Sequence, residues 1–133
     1  MLRSSAARRA FLLGAAGLGT WRALGRSLGR AQAAEAARMV FLERGDCPYC
    51  RRWLRDVGEQ AWNRSDLGGR APLWRVDVAA GLPEALRFLT HWRFTPTFVL
   101  VREGREVGRI IGYNGDLFFW QQAEVLIGRL PPA

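Results

Sequence analysis

From residue 34 onwards, the apolar positions of the chain alternate between strand-like and helix-like spacing. Short runs of apolar and β-branched residues predict four strands, at residues 38–43, 73–78, 97–102 and 105–111. Longer segments with helical spacing predict three helices, at residues 48–61, 82–92 and 117–130. Pro83 falls in the first turn of the second helix, and Asp116 is the predicted cap of the third.

The order of these elements is β-α-β-α-β-β-α, which predicts an α/β fold with a mixed four-stranded sheet. Residues 62–72 are polar and glycine-rich, and Gly68-Gly69 is expected to break regular structure there. Glu103-Gly104 is expected to join the last two strands in a hairpin. Because helices link the first three strands, we expect these strands to be parallel, with the hairpin adding an antiparallel edge.

The charge of the chain is unevenly distributed. The 133 residues carry a formal net charge of +8, which by itself suggests a nucleic-acid partner. Residues 1–33 contain six arginines and no acid, for +6, and residues 34–133 contain fourteen arginines and twelve acids, for +2. The remainder of the chain is therefore a mixed surface, and we expect no nucleic-acid partner.

The first 33 residues have the three parts of an export signal. A basic start precedes the apolar residues 11–21, and Ala31-Gln32-Ala33 offers cleavage after Ala33, with Ala36 as an alternative site. Arg8-Arg9 resembles the twin-arginine signal for folded proteins, and an ordinary secretory signal is the alternative. Since the apolar run is about half the ~20 residues that cross a bilayer, we expect no stable membrane span. Both signals predict a mature domain, residues 34–133, outside the cytoplasm.

The only two cysteines occur as Cys47-Pro48-Tyr49-Cys50, between the first strand and the first helix. A C-x-x-C at such a turn is a redox motif. The N-terminus of a helix favours a thiolate, so Cys47 is the expected attacking thiol and Cys50 the resolving thiol. A structural disulfide and a metal site remain as alternatives, although the single histidine, His91, lies about forty residues away.

The motif Thr95-Pro96-Thr97 directly precedes the third strand. Together with the C-x-x-C at a strand-to-helix turn, the hairpin and the closing helix, it resembles the thioredoxin superfamily. This resemblance implies a three-layer α/β/α arrangement, a cis Pro96 beside the cysteines, and a substrate contact at Thr95. Pro48 and Tyr49, which lie between the two cysteines, are also predicted substrate contacts.

Two positions qualify the resemblance. Pro48-Tyr49 is the dipeptide of glutaredoxins, whereas the residues after the hairpin do not match that branch. Phe41 occupies the place where thioredoxin has a buried aspartate, and Glu43 and Asp46 are the nearest carboxylates in sequence. The proton-relay residue is therefore left unassigned.

A narrower resemblance covers about residues 39–130 and rests on residues 45–50, 75–77, 94–101, 104–109, 112–113 and 118–120. These segments resemble the periplasmic thioredoxin of the bacterial sulfur-oxidation (Sox) system. This resemblance implies a thiol–disulfide oxidoreductase that needs no cofactor or metal, acts on a cysteine of the Sox sulfur carrier and draws electrons from a membrane thiol transporter. A glutathione-dependent reductase and a copper chaperone are the alternatives.

The aromatic residues divide between core and surface. Four lie at alternating or helical spacing and are predicted core residues: Trp53, Trp74, Phe98 and Phe118. Tyr49, between the cysteines, and Trp92, near Pro96, are predicted surface residues. An apolar rim around the thiols would give a partner protein something to bury.

Overall fold

A computed structural model describes residues 36–132, so the predicted export signal lies outside the described residues. The strands are Arg38–Glu43 (β1), Leu73–Asp77 (β2), Thr97–Arg102 (β3) and Arg105–Ile111 (β4). The helices are Pro48–Asp56 (α1), Gly58–Arg64 (α2), Asp66–Arg70 (α3) and Asp116–Ile127 (α4). Two short 3-10 turns, Val78–Ala80 and Glu84–Leu86, follow β2. Within residues 36–132, no helix has both the length and the hydropathy needed to cross a bilayer.

The predicted α/β class is confirmed, and the strands form one mixed four-stranded sheet in the order β2-β1-β3-β4. β1 and β2 are parallel, but β3 is antiparallel to β1, so the prediction of three parallel strands is wrong for β3. The pairing gives the reason. Glu43, at the end of β1, pairs with Asp77 at the end of β2, and Leu42 pairs with Thr97 at the start of β3. β2 therefore ends, and β3 begins, at the same end of the sheet. The connection therefore has no need to cross the sheet.

The predicted helix at 82–92 is the second correction, because only the 3-10 turn Glu84–Leu86 forms there. Pro83 precedes this turn as its cap. Leu86 and Leu89 are buried against the sheet, which a short irregular segment achieves without a full helix. His91 has a left-handed φ of 57°, which is incompatible with a continuing right-handed helix.

The helix predicted at 48–61 is interrupted after Asp56, and Gly58 opens α2 with a φ of 77°. The prediction that 62–72 is a glycine-broken link is wrong, since α2 reaches Arg64 and α3 contains both glycines. The hydroxyl of Ser65 accepts a hydrogen bond from the Gly68 N–H at 3.0 Å and caps α3. A side chain at Gly68 would collide with the carbonyl oxygen of Trp62.

The two faces of the sheet have different cores. The aromatic core lies under the helices and includes Phe41, Trp53, Trp62, Phe98 and Phe119. The aliphatic core lies under the 3-10 turns and the following loop and includes Val40, Leu42, Val76, Leu86, Leu89, Val99 and Val101.

The core predictions are confirmed for Trp53 and Phe98, and Trp74 is partly buried. Phe118 is 48% exposed and was wrongly placed in the core. Because α4 begins at Asp116 with Gly115 as its cap, Phe119 is the residue that faces inwards.

Candidate active site

The two cysteines lie at the start of α1 and form a disulfide, with their Cα atoms 5.3 Å apart. Cys47 is the N-cap of the helix and Pro48 is its first residue, where a missing N–H leaves no partner unpaired. The Cys50 N–H donates a hydrogen bond to Cys47 Sγ at 3.1 Å. The local sequence therefore places the Cys47 sulfur where a negative charge is stabilised.

The two sulfurs differ in their surroundings. Cys47 belongs to the aromatic core but keeps 7% of its surface exposed, whereas Cys50 keeps 1%. Pro48 and Tyr49 lie outside, and Tyr49 is 57% exposed. A partner sulfur therefore reaches Cys47 before Cys50.

Thr95 and Pro96 lie directly beside the disulfide, although they follow Cys50 by more than forty residues. The Thr95–Pro96 peptide bond is cis. The Thr95 carbonyl oxygen is 3.2 Å from Cys47 Sγ. The carbonyl groups on either side of Thr95 also accept hydrogen bonds. The Thr97 hydroxyl donates to Phe94 O at 2.6 Å, and the Gly112 N–H donates to Pro96 O at 2.8 Å.

A groove of about 270 Å³ lies next to the disulfide. Its rim carries three large exposed apolar side chains, Tyr49 at 57%, Phe94 at 66% and Ile111 at 57%. The lining contains no Arg, Asp or Glu and consists of Tyr49, Phe94, Thr95, Ile111, Gly112, Tyr113 and Asn114. Exposed apolar side chains around a reactive group are typical of a surface that binds another protein.

The floor of the site is aromatic. Phe41 is fully buried, stacks on Phe98 at a centroid distance of 5.0 Å and contacts Trp53 at 4.7 Å. The two carboxylates nearest in sequence are engaged elsewhere, since Glu43 binds Arg75 at 2.6 Å and Asp46 binds Arg44 at 3.2 Å. The hydrogen bond to Glu43 raises the pKa of Arg75.

Tyr113 ties one wall of the groove to the helix of the cysteines. Its hydroxyl donates a hydrogen bond to Asp56 Oδ2 at 2.9 Å, and the Arg52 guanidinium lies over its ring at 5.8 Å. Burial, followed by the hydrogen bond and charge of Asp56, raises the pKa of Tyr113 to about 12. Tyr113 is therefore a neutral donor at ordinary pH and holds residues 112–115 against α1.

Sequence reasoning located the cysteines, Tyr49, Thr95 and Pro96, and the structure brings them together. It missed Phe94, Ile111 and Tyr113, which come from two separate segments of the chain and have no shared motif. His91 is exposed and lies at the start of the loop that leads to Thr95. Within residues 36–132 there is no group of three His, Cys, Asp or Glu side chains placed to hold a metal.

Three solved structures illustrate the similarity of the chain to known proteins. The periplasmic thioredoxin SoxS from Paracoccus pantotrophus is 38% identical, with 70% of this chain and 97% of that chain covered and a TM-score of 0.61. A thioredoxin from Thermus thermophilus is 27% identical, with 77% and 82% covered and a TM-score of 0.50. Thioredoxin Deadhead from Drosophila melanogaster is 20% identical, with 77% of this chain and 93% of that chain covered and a TM-score of 0.51, and shows the same fold. No family model and no curated protein sequence matches the chain.

The identity to SoxS extends over nearly the whole of that protein, and the disulfide lies where the strand-to-helix turn of this fold places a redox pair. Two cysteine sulfurs carry the two electrons of the exchange, so the reaction needs no bound cofactor. The chain belongs to the thioredoxin family, and it is a thiol–disulfide oxidoreductase that works through Cys47 and Cys50.

Proposed function

We propose that the protein is a periplasmic reductase of protein disulfides in which Cys47 attacks and Cys50 resolves. The observation that carries the proposal is the asymmetry of the pair, since Cys47 caps α1 and keeps some exposure whereas Cys50 is nearly fully buried. The cap position favours the Cys47 thiolate, because the first turn presents unpaired N–H groups and the positive end of the helix dipole.

Each turnover moves two electrons from the enzyme to its partner. The Cys47 thiolate attacks one sulfur of the partner's disulfide, so a mixed disulfide forms and the first partner thiolate leaves. Cys50 then loses its proton and attacks Cys47 Sγ. The Cys47–Cys50 disulfide forms, and the second partner sulfur leaves as a thiolate and is protonated. An electron donor, for which we propose a membrane thiol transporter, reduces the pair again.

The partner contacts are assigned to the residues that surround Cys47. Pro48 and Tyr49 meet the partner on the helix side, and Thr95 and Pro96 meet it on the strand side. The 3.2 Å distance between Thr95 O and Cys47 Sγ supports this assignment, because a chain bonded to Cys47 lies next to the Thr95 backbone.

The groove favours a protein over glutathione as the substrate. Glutathione carries two carboxylates and an ammonium group, whereas the described lining of the groove contains no Arg, Asp or Glu. Charged groups lose hydration when they are placed against apolar side chains such as Phe94 and Ile111, and unpaired charges there are costly. An uncharged protein segment gains apolar contacts on the same surface.

The similarity to SoxS supports a finer proposal, that the partner is the cysteine of a sulfur-oxidation carrier protein. A Cys50→Ser variant keeps the attacking thiol and lacks the resolving one, so we expect it to accumulate covalent complexes in the periplasm. Mass spectrometry of the captured proteins identifies the partner. Cys47→Ser is the matched control and should capture none.

The outcomes separate the proposals. Recovery of a sulfur carrier supports the finer assignment, and recovery of many unrelated proteins indicates a general reductase. Equal disulfide reduction by both variants and the unchanged protein contradicts the mechanism. Tight stoichiometric copper binding by the reduced protein, without disulfide reduction, would instead favour a metal chaperone.

We propose that residues 1–33 are a removable twin-arginine signal, with cleavage after Ala33, that directs the protein to the periplasm. Replacement of Arg8 and Arg9 with Lys keeps the charge but removes the arginine pair. We expect the precursor to remain in the cytoplasm, as measured by fractionation. Unchanged export would contradict the twin-arginine assignment and leave an ordinary secretory signal.

A further inference from the structure

A bulge in β4 brings two charged side chains to one face of the sheet. Leu100 pairs with Gly108 and Val101 with Glu106, so Val107 is an extra residue between two pairs of the ladder. In a regular strand, residues three apart point to opposite faces. Because of the extra residue, the side chains of Glu106 and Arg109 point to the same face, and bulges commonly redirect side chains in this way.

The pairing partners identify that face. Glu106 lies across from Val101, and Arg109 lies across from Val99. Both valines belong to the aliphatic core, under the loop that follows the 3-10 turns. Arg109 therefore extends beneath the loop that leads from Leu89 to Pro96, and its side chain is only 18% exposed.

The guanidinium of Arg109 joins this loop to the edge strand. Nε donates to Glu106 Oε1 at 2.5 Å, and one terminal nitrogen donates to Glu106 Oε2 at 2.6 Å and to Thr90 O at 3.0 Å. The other terminal nitrogen donates to His91 O at 3.3 Å. A planar fork with five N–H donors can hold a carboxylate and two carbonyls together, which a lysine cannot.

The loop depends on such contacts because residues 89–93 have no regular secondary structure. His91 also has a left-handed φ of 57°, which a residue with a side chain adopts only when its surroundings hold it. Four residues further on, the Thr95 carbonyl lies 3.2 Å from Cys47 Sγ. Phe94, between them, is the most exposed aromatic residue of the groove rim.

The geometry points to Arg109 as a positioning residue for recognition of the protein substrate. Glu106 orients the guanidinium, the guanidinium holds Thr90 O and His91 O, and the loop then presents Phe94 and Thr95 at the disulfide. Arg109 contacts neither cysteine. The role rests on the thiol–disulfide activity of the family and is independent of which carrier protein is the partner.

The test separates capture of a protein substrate from the chemistry of the thiols. Arg109→Gln removes the fork, and Arg105→Gln is the matched control, because Arg105 is an exposed residue of the same strand and loses the same charge. Each variant is assayed on insulin, with dithiothreitol as the electron source. The prereduced variant is also assayed on dithionitrobenzoate, a small disulfide that does not span the loop.

For Arg109→Gln we expect the KM for insulin to rise about tenfold, since small displacements of a contact surface have effects of this size or larger. The kcat on insulin and the rate on the small disulfide should stay within about twofold of the values of the unchanged protein, and the reduction potential should not change. Arg105→Gln should leave all four quantities unchanged. Amide hydrogen exchange should become faster at residues 89–95 and remain the same in α1.

Three results would overturn the assignment. An equal loss of activity on insulin and the small disulfide would indicate a general structural defect. An equal rise of KM in Arg105→Gln would indicate attraction by charge. An unchanged KM would show that the loop is held without Arg109.

If Arg109→Gln does not fold, Arg109→Lys decides the question. Lysine keeps the charge and most of the stem but cannot bind the carboxylate and both carbonyls at once. We expect an intermediate rise of the KM for insulin, and a KM equal to that of the unchanged protein would overturn the role of the fork.

Discussion

The two faces of the sheet support the active site by different means. On the helical face, aromatic rings from β1, α1, β3 and α4 pack on one another, and the cysteine pair belongs to this core. On the other face, small aliphatic side chains are covered by two 3-10 turns and an irregular loop. The thiols are therefore positioned by close packing, whereas the loop at Thr95 is positioned by hydrogen bonds to its backbone. The site lies where these two kinds of support meet.

The largest effect should come from the aromatic core. Phe98→Ala removes a fully buried ring that contacts Phe41, Trp53 and Phe119. We expect the free energy of unfolding to fall by about 4 kcal/mol, because the close-packed rings cannot close the cavity. Leu86→Ala, on the other face, should lower it by about 2 kcal/mol, since a cover of short turns can collapse further.

Urea unfolding followed by circular dichroism measures both values. Equal losses of unfolding free energy for Phe98→Ala and Leu86→Ala would contradict the idea that the aliphatic core adapts to a cavity more readily than the aromatic core.

A smaller effect is expected from the two adjacent glycines of α3. A side chain at Gly68 meets the backbone of Trp62, so Gly68→Ala should lower the free energy of unfolding by about 3 kcal/mol. Gly69 has open space around its Cα and a helical backbone, so Gly69→Ala should raise it by about 0.5 kcal/mol.

The melting temperatures of the two variants provide the comparison. Equal changes of melting temperature in Gly68→Ala and Gly69→Ala would show that the close approach of α3 to α2 does not contribute to the stability of the helical face.

The smallest effect concerns Tyr113, which joins the groove to α1. Tyr113→Phe removes one hydrogen bond to Asp56 and should lower the free energy of unfolding by about 1 kcal/mol at neutral pH. The folded pKa of about 12 exceeds the ordinary value of 10, so the protonated form is favoured by folding. This stabilisation is fully present below pH 10 and is lost as the pH rises through 12.

The chain has two tyrosines, so phenolate absorbance of a Tyr49→Phe variant reports Tyr113 alone. A midpoint near 10 in the folded protein would contradict the tether to Asp56.

The strands were predictable because each is a local pattern. β1, β3 and β4 occur at the predicted residues, and β2 is one residue shorter. The prediction of a helix at 82–92 was wrong for a reason that lies outside this segment. Its apolar spacing suits a helix, but the strands before and after it meet it at the same end of the sheet. Leu86 and Leu89 reach the core without a helix.

The prediction of an irregular link at 62–72 was wrong because glycine can either interrupt a helix or allow two helices to approach closely. Gly68-Gly69 suggested a break, whereas the structure uses Gly68 for a close approach of two short helices. Only the position of Trp62 in the folded chain distinguishes the two cases.

The sequence predicted the two cysteines that carry out the reaction, but only some of the residues that surround them in the groove and its supporting loop. Cys47 and Cys50 lie within one helical turn, so their chemistry follows from a local motif. Thr95 and Pro96 were placed through the family resemblance. Phe94, Arg109 and Tyr113 were missed, because their roles depend on contacts with residues far away along the chain. For Arg109, the contact is with a loop whose course the sequence pattern did not predict.

The amino-acid sequence by itself determined the α/β class, the four strands, the redox pair and its place at the start of a helix. These features depend on residues that are neighbours along the chain, where side-chain period, proline and the helix terminus act directly. The tertiary structure alone decided the direction of β3, the loop that replaces a helix, and the bulge that turns Glu106 and Arg109 to the same face. These depend on which edges and faces meet after folding, and no local pattern contains that information.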